Sequence, residues 1–199
     1  IRLSLVGSEM CIRDRSETAN TWLQEAANAA KAVMTESGHS IYTEEGVDAS
    51  MRALFISTTP ITSEVMLASV ASESLGVLGS ANWWWTSGTY GSRFNMIRSF
   101  INLFLMRDGT PFTDKENHEQ IEFFEECQNR DTRLAQTIRT PGYQRDGKSA
   151  APNFNGYSYT GYQPIKYTLD DTKYDAGQLN TNAIPLFRYA EVLLNYAEA

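Results

Sequence analysis

The chain has 199 residues and a formal net charge of −7; 42% of its residues are hydrophobic and 21% are charged. This balance is sufficient for a folded core and differs from the composition of disordered chains. Binding to nucleic acid is disfavoured, because phosphate needs a clustered surface of lysine and arginine. The composition therefore indicates a folded protein whose ligand is not a nucleic acid.

The cysteines and histidines are too few and too scattered for a metal site. Cys11 and Cys127 lie far apart, as do His39 and His118, so no metal-ligand spacing and no disulfide framework is visible. No run of about 18 apolar residues occurs that could form a transmembrane helix. We therefore expect no metal, no cofactor and no membrane span.

Both ends of the chain look unnatural. The first fifteen residues read IRLSLVGSEMCIRDR and are similar to translated sequencing-adapter DNA. Residues 1–15 are therefore interpreted as a non-native leader, with an ordinary flexible terminus as the alternative. The chain stops at Ala199 inside a helical pattern, without the Gly or Pro that commonly follows a helix. We expect residues 16–199 to be a fragment that is truncated at both ends.

The first half of the chain is predicted to contain two helices, one strand and a long loop. Apolar residues recur at helical spacing over Glu17–Glu36, and Gly38 lies where a helix would end. A short helix is predicted over Asp48–Phe55. A short strand is predicted over Thr62–Val70, from its alternation and β-branched residues. The Gly- and Ser-rich stretch Glu73–Gly91 is predicted to be a loop that carries three consecutive tryptophans.

The next part of the chain alternates between predicted helices and irregular structure. The apolar pattern predicts a helix over Ser92–Met106, and an acidic helix over Asn117–Asn129 follows. Leu134–Arg139 is predicted to be a strand. The stretch Pro141–Asp175 is rich in Gly, Asn, Tyr and Pro, so ordered irregular structure with one strand over Ile165–Leu169 is expected.

A helix is predicted over Ile184–Ala199, with apolar residues around almost its whole circumference. Pro185 suits the first turn of such a helix, and a helix that is apolar all round is expected to be buried. Its charges then need partners, and Arg188 and Glu191 are spaced to form a structural ion pair. The elements together predict a mainly α fold, in which helices pack with a loop-rich irregular region that contains a few short strands.

Five segments resemble one known family. The most specific is the final segment, IPLFRYAEVLLNYAEA. Upstream lie LFLMRDGTPF, NRDTRLAQTI and YTGYQPIKY, and the first helix is followed by GHSIY. In their order and spacing across residues 16–199 these segments resemble the SusD/RagB family. Thr132 replaces the usual Pro of one segment, and Ile41 and Tyr42 alter another.

The resemblance implies both a fold and a function. The fold would be SusD-like, with tetratricopeptide-type helix pairs beside a loop-rich region that holds the ligand site. The protein would be a surface-exposed lipoprotein of the cell outer membrane, attached through a lipid anchor on a segment missing from this chain. It would bind extracellular glycan or oligosaccharide without cleaving it and deliver it to a SusC-like TonB-dependent transporter.

The tryptophan cluster is the first candidate ligand site. A sugar ring presents a face of C–H groups edged by hydroxyls, so a binder needs an exposed aromatic plane with polar side chains at its rim. Candidates for the planes are Trp83, Trp84, Trp85 and Tyr90; candidates for the hydrogen bonds are Asn82, Thr86, Ser87 and Arg93. In an extended chain Trp84 would point away from its two neighbours, so at least one tryptophan is expected to pack in the core.

The segment NFNGYSYTGYQ is the second candidate site. Its aromatic residues, Phe154, Tyr157, Tyr159 and Tyr162, alternate with Asn and Ser. Two interpretations stay open. Either Tyr157 and Tyr159 contact ligand, or the segment is a packed loop whose tyrosines bond to the backbone.

The carboxylates show no recognisable catalytic pattern. Glycosidases place two Asp or Glu groups across a sugar bond. The available groups are Asp108, Asp114, Glu125, Glu126 and Asp131. No phosphate-binding loop, helical zinc pair or nucleophile elbow is present in the sequence. We therefore predict that the protein is not an enzyme.

The cluster of Arg130, Asp131 and Arg133 is interpreted as a structural ion network. Two alternative functions remain. The alanine-rich first helix is typical of helical-repeat modules that bind a protein or a peptide. A glycoside hydrolase is the second alternative, and release of reducing sugar would establish it.

Overall fold

A computed structural model describes residues 16–86, 94–153 and 159–199. The described residues divide into two compact units. The first unit contains residues 16–41, 62–67 and 186–199. The second contains residues 42–61 and 68–185, apart from the gaps at 87–93 and 154–158.

Helices are more abundant than strands among the described residues. The α-helices are α1 (Ser16–Glu36), α2 (Ser50–Ile56), α3 (Ala81–Thr86), α4 (Arg98–Ile101), α5 (Phe123–Glu126), α6 (Thr132–Ala135) and α7 (Tyr189–Glu198). The strands are β1 (Val65–Ser69), β2 (Gln144–Arg145), β3 (Lys148–Ser149) and β4 (Ile184–Arg188). Short 3-10 helices span Phe112–Asp114, His118–Gln120 and Thr172–Asp175. The prediction of a mixed, mainly helical chain is confirmed.

The first unit is built on a pair of helices, α1 and α7. The buried side chain of Ala30 in α1 packs in one cluster with Tyr189 and Val192 of α7. A small side chain at such a contact lets two helices approach closely. The strands β1 and β4, which lie mainly in this unit, pair in a two-stranded sheet and add Met66 and Phe187 to the cluster. The predictions of the first helix and the first strand are confirmed, with β1 shorter than expected.

The prediction of one continuous helix over Ile184–Ala199 is wrong in its first five residues. They form β4, and Pro185 lies in that strand instead of in a first helical turn. The main-chain N of Tyr189 donates to the carbonyl of Glu64 at 2.9 Å, so the helix begins only where pairing with the first strand region ends. Pro is tolerated here because both strands of a two-stranded sheet are edge strands.

The environment of α7 also differs from the expectation of complete burial. Leu194 is 69% exposed and Tyr196 is 40% exposed, whereas Tyr189 and Val192 are buried. Arg188, expected to pair with Glu191, donates from Nη1 to Glu64 Oε1 at 2.6 Å. The Glu64 carboxylate is nearly fully buried, so this pair joins two distant parts of the chain within the first unit.

The second unit has a compact apolar cluster on which its short helices pack. Ile101, Leu134, Ile138 and Tyr162 are buried in it, and Met96, Phe104 and Phe123 pack against it. Arg130 is 4% exposed beside this cluster and donates to the main-chain carbonyls of Glu126, Ile101 and Phe104. Its guanidinium also lies 4.0 Å from the centre of the Phe112 ring.

The ion network expected around Arg130 is therefore only partly present. Asp131 pairs with Arg133, and the Asp131 carboxylate also accepts from the main-chain N of Arg133. Arg130 is held by carbonyls and an aromatic ring. The Asp131 contact caps α6, and this cap explains why the strand predicted over Leu134–Arg139 begins as a helix.

Two other helix predictions are wrong. The helix predicted over Ser92–Met106 is reduced to α4, because Leu105 accepts from Asp131 N at 2.8 Å and the chain there is extended. The helix predicted over Asn117–Asn129 is divided into a 3-10 turn and α5, and both of its end residues have left-handed backbones.

The strand expected over Ile165–Leu169 is a turn; the second unit instead has the hairpin β2–β3. Asp146 and Gly147 form its tip with φ values of 49° and 70°. An Asp-Gly pair with two positive φ angles is a strong signal for a two-residue hairpin, which the sequence analysis missed. Within the described ranges, none of the helices combines the length and apolar character needed to cross a bilayer.

Candidate functional site

The three tryptophans lie on a helix, α3, and not on the predicted loop. The main-chain N of Trp84 donates to the carbonyl of Ser80 at 2.9 Å. Successive side chains on a helix project about 100° apart, so the rings fan out around the helix instead of alternating between two sides. Trp84 is 47% exposed, and Trp83 and Trp85 are partly buried. None of the three is a fully buried core residue, contrary to expectation.

Aromatic contacts hold these rings in place. The Trp83 and Trp84 rings meet edge to face with centroids 4.8 Å apart. Trp85 stacks on Phe94 at 6.1 Å and meets Tyr167 edge to face at 5.4 Å. Offset and edge-to-face pairs at such separations are favourable beyond the area they bury. Trp84 is therefore an exposed plane supported by ordered neighbours.

Asn82 is a structural residue and not the exposed sugar contact that the sequence analysis predicted. It is fully buried. Its Nδ2 donates to the Leu169 carbonyl and to Asp175 Oδ1, each at 2.9 Å. Its Oδ1 accepts from Leu169 N at 2.8 Å and from Asn180 Nδ2 at 2.7 Å. An amide offers two donors and two acceptor positions, so all four are in use.

The Asn82 contacts extend into a polar network that fixes α3. Arg145 binds both oxygens of Asp175, at 2.8 and 2.6 Å, and donates to the Leu169 carbonyl at 3.0 Å. Asn180 Oδ1 accepts from Asn82 N at 2.9 Å. No sequence pattern could identify this network, because the hydrogen-bonded partners lie 24 to 98 positions apart. Its effect is to anchor the first residues of the tryptophan helix.

The two candidate segments of the sequence analysis are brought together in the second unit. Gln163 Nε2 donates to the Trp85 carbonyl at 3.2 Å. Met96 accepts from Thr160 Oγ1 at 2.7 Å, and Met96 N donates to Tyr162 at 3.1 Å. Thr160 and Tyr162, near the end of the tyrosine-rich segment, therefore lie beside Met96, which follows the tryptophans.

The two described tyrosines of the second segment, Tyr159 and Tyr162, differ in their exposure. Tyr162 is 4% exposed, and its hydroxyl hydrogen-bonds to Glu126 and Arg98, so it belongs to the core. Tyr159 is 72% exposed and lies at the surface. The remaining predicted site residues, Tyr90, Arg93, Tyr157, Ser87 and Phe154, lie outside the described residues.

Three aspartates of the second unit favour the ionised form. Burial alone would raise the pKa of Asp170, but hydrogen bonds from Arg52 and Tyr143 hold it below its usual value. The pKa of Asp131 is lowered mainly by the side-chain hydrogen bond from Arg133. Hydrogen bonds from the backbone and side chain of Thr110 lower the pKa of Asp108. These three groups are therefore anionic hydrogen-bond acceptors at neutral pH.

The family model of the SusD family matches residues 69–199. The matched range contains α3, the polar network around Asn82 and the final helix, and it confirms the resemblance seen in the sequence motifs. No curated protein and no solved structure matches the chain significantly.

Proposed function

Because the chain belongs to the SusD family, we propose that it binds extracellular glycan at the outer-membrane surface, leaves the glycan intact and delivers it to a SusC-like TonB-dependent transporter. Proteins of this family are generally non-catalytic and bind glycans in nutrient uptake. They are typically lipoproteins of the outer-membrane surface. For this chain we propose both the lipid anchor and the delivery of glycan to the transporter.

The observation that carries the proposal is the exposed ring of Trp84 on a rigid support. Nearly half of this side chain is exposed, while Trp83 packs against its ring at 4.8 Å. The helix below it is tied down by the saturated amide of Asn82. A sugar ring stacked on such a plane loses little affinity to ordering of the protein, because the site is formed in advance. Tyr159 offers a second exposed aromatic surface in the same unit.

A binding function without cleavage agrees with the pKa shifts of three aspartates of the second unit. A glycosidase needs one carboxylic acid whose pKa is raised, so that it can protonate the leaving group. The pKa values of Asp108, Asp131 and Asp170 are shifted in the opposite direction. These groups suit hydrogen bonding to sugar hydroxyls or to neighbouring guanidinium groups better than proton donation.

Substitution of Trp84→Ala tests the site, and Trp22→Ala is a matched control. Trp22 is 56% exposed but lies on α1 in the other unit. Affinity electrophoresis and calorimetry with starch, fructan, uronic-acid polysaccharides and mucin glycans should identify a ligand of the wild type. We expect W84A to bind it about tenfold more weakly, because a stacked aromatic contact is lost. W22A should bind like the wild type.

Equal affinity of W84A and the wild type would disprove the assignment of this site. Release of reducing sugar by the purified wild type would instead establish a hydrolase. Delivery is tested separately by co-expression with a SusC-like TonB-dependent transporter. Failure of the two proteins to co-purify from outer membranes would reject the transporter part of the proposal.

A further inference from the structure

Three arginines of the second unit, Arg130, Arg139 and Arg145, are buried, and Arg52 is partly buried. Arg139 makes fewer hydrogen bonds than the other three. Arg52, Arg130 and Arg145 each donate three hydrogen bonds of 3.0 Å or less from their terminal nitrogens. Arg139 is 7% exposed, yet its side chain makes one hydrogen bond to a described residue, from Nη1 to the Ala151 carbonyl at 3.4 Å. Its Nε is buried without a partner, as is the Nε of each of the other three, so the difference lies in the terminal nitrogens. A guanidinium has five N–H donors, so Arg139 is poorly satisfied.

The charges around Arg139 do not balance. It interacts electrostatically with Tyr143, Arg145, Asp175 and Asp170. Asp170 is paired with Arg52 at 2.7 Å and Asp175 with Arg145 at 2.6 Å. The third guanidinium, that of Arg139, thus has no carboxylate of its own among the described residues. Burial lowers its pKa, but an arginine side chain remains protonated in proteins. A buried cation without an anion is costly, and a bound anion would remove that cost.

Arg139 lies beside the residue that braces the tryptophan helix. Its main-chain N donates to the carbonyl of Gln163 at 2.9 Å, and the Gln163 side chain donates to the carbonyl of Trp85 at 3.2 Å. One residue therefore connects the main chain at Arg139 to α3, the helix that carries Trp84.

We propose that Arg139 binds the carboxylate of a uronic acid unit, so that the glycan of this protein is acidic. The inference rests on the proposed glycan-binding function and adds the class of glycan. The edge of the guanidinium formed by Nε and Nη2 makes no contact with a described acceptor, and two parallel N–H groups on one edge match a planar carboxylate. Nε is covered in this structure, and one long hydrogen bond and the Tyr143 ring, whose centre lies 5.7 Å from the guanidinium carbon, hold the group. Binding of a carboxylate at this edge therefore requires the guanidinium to rotate toward solvent.

The net charge of −7 does not conflict with this assignment. It opposes long-range attraction of a polyanion, and salt screens that effect beyond about 10 Å. Recognition of one carboxylate depends on the local excess of positive charge, which is less screened because the group is buried. The selectivity is therefore expected to lie in a single contact and not in a basic surface.

The test compares acidic glycans with their neutral counterparts. Oligosaccharides of polygalacturonate, alginate and glucuronoxylan are titrated calorimetrically against the complete 199-residue chain. Each is used as the acid and after reduction of its carboxyl groups to alcohols, which keeps the sugar backbone. For at least one of them we expect the acid form to bind about tenfold more tightly, the typical gain from a charge-assisted hydrogen bond.

Variants of Arg139 test whether this residue causes the preference for the acid form of the glycan. R139Q should bind the acid and the reduced form equally, with its affinity for the reduced form unchanged. R139K keeps the charge but loses the planar edge, so most of the preference should disappear; it decides the matter if R139Q does not fold. R133Q is the control, because Arg133 is exposed and already paired with Asp131.

Three results would overturn the inference. The first is a wild type that prefers no acid form, and the second is an R139Q variant that folds and keeps the preference. The third is an Arg139-dependent preference for sulfated galactan oligosaccharides that carry no carboxylate. Binding of neutral glycans without any acid preference rejects this inference alone. Absence of binding to every glycan, acidic or neutral, rejects the proposed function as well.

Discussion

Gln163 donates a hydrogen bond from Nε2 to the main-chain carbonyl of Trp85, at 3.2 Å, and accepts one from the main-chain N of Asn153, also at 3.2 Å. The side chain is 1% exposed, so a single buried amide connects the end of the tryptophan helix to the chain that leads into the tyrosine-rich segment. Gln163 therefore connects Trp85 and Asn153, which lie more than 60 positions apart in sequence and belong to the two aromatic segments.

Replacing Gln163 by leucine should therefore destabilise the fold and loosen the site. The variant Q163L leaves the Trp85 carbonyl and the Asn153 N–H without their buried partner, which costs about 1–3 kcal/mol. Urea unfolding measures the loss. Q144L is the control, because Gln144 is exposed on β2. Equal stability of Q163L and the wild type would show that the bridge contributes nothing.

An isosteric change at Asn82 tests the buried network. Asn82→Asp removes two N–H donors and places a carboxylate 2.9 Å from Asp175 Oδ1, where the amide nitrogen was. We expect a loss of about 3 kcal/mol, because the Leu169 carbonyl and Asp175 Oδ1 each keep only their bond from Arg145 and a like charge is added. Thermal unfolding at neutral pH measures it. The exposed Asn28 provides the control N28D, which should unfold within a degree or two of the wild type.

The acid stability of the protein should depend on Asp170. Its pKa is lower in the folded state than in the unfolded state, where it is about 3.9. The contribution to stability is therefore complete above the unfolded-state value and is lost as the pH falls through the folded-state value. Wild-type stability should decline below about pH 4, and D170N should be less stable at pH 7 and decline less steeply.

The control for this pH dependence is D48N, since Asp48 is exposed and its ion pair with Arg107 spans 3.7 Å. Urea unfolding at a series of pH values gives the slopes. If D170N and D48N decline with the same slope below pH 4, the Arg52–Asp170 pair does not contribute to acid stability.

Cys127 should react slowly with thiol reagents. Burial, followed by the charge of Glu126, raises its pKa to about 12. The thiolate is the reactive form, so at pH 8 the native thiol should be alkylated at least about a hundredfold more slowly than the unfolded one. The variant Cys11→Ser leaves Cys127 as the one remaining thiol. Rapid labelling of native C11S with iodoacetamide would show that Cys127 is accessible.

Local sequence patterns predicted a helix or a strand correctly where that element depends mainly on its own residues. The helix over Ser16–Glu36 matches its apolar periodicity, and the strand at Val65–Ser69 matches its alternation. Elsewhere a distant partner changed the outcome. The region near Leu105 is extended because its carbonyl accepts from Asp131, and Ile184–Arg188 is a strand because β1 pairs with it.

The sequence by itself determined the family and the residue types of the site. Family motifs are runs of neighbouring residues, so they can be recognised without coordinates, and the supply of aromatic rings can be counted. Only the tertiary structure decided that Trp84 is exposed, that Asn82 and Tyr162 are buried, and that Arg139 forms no ion pair with a carboxylate in the part of the chain that the structure describes. Burial and pairing depend on groups that folding brings together from 24 to more than 100 positions away, and no local pattern records them.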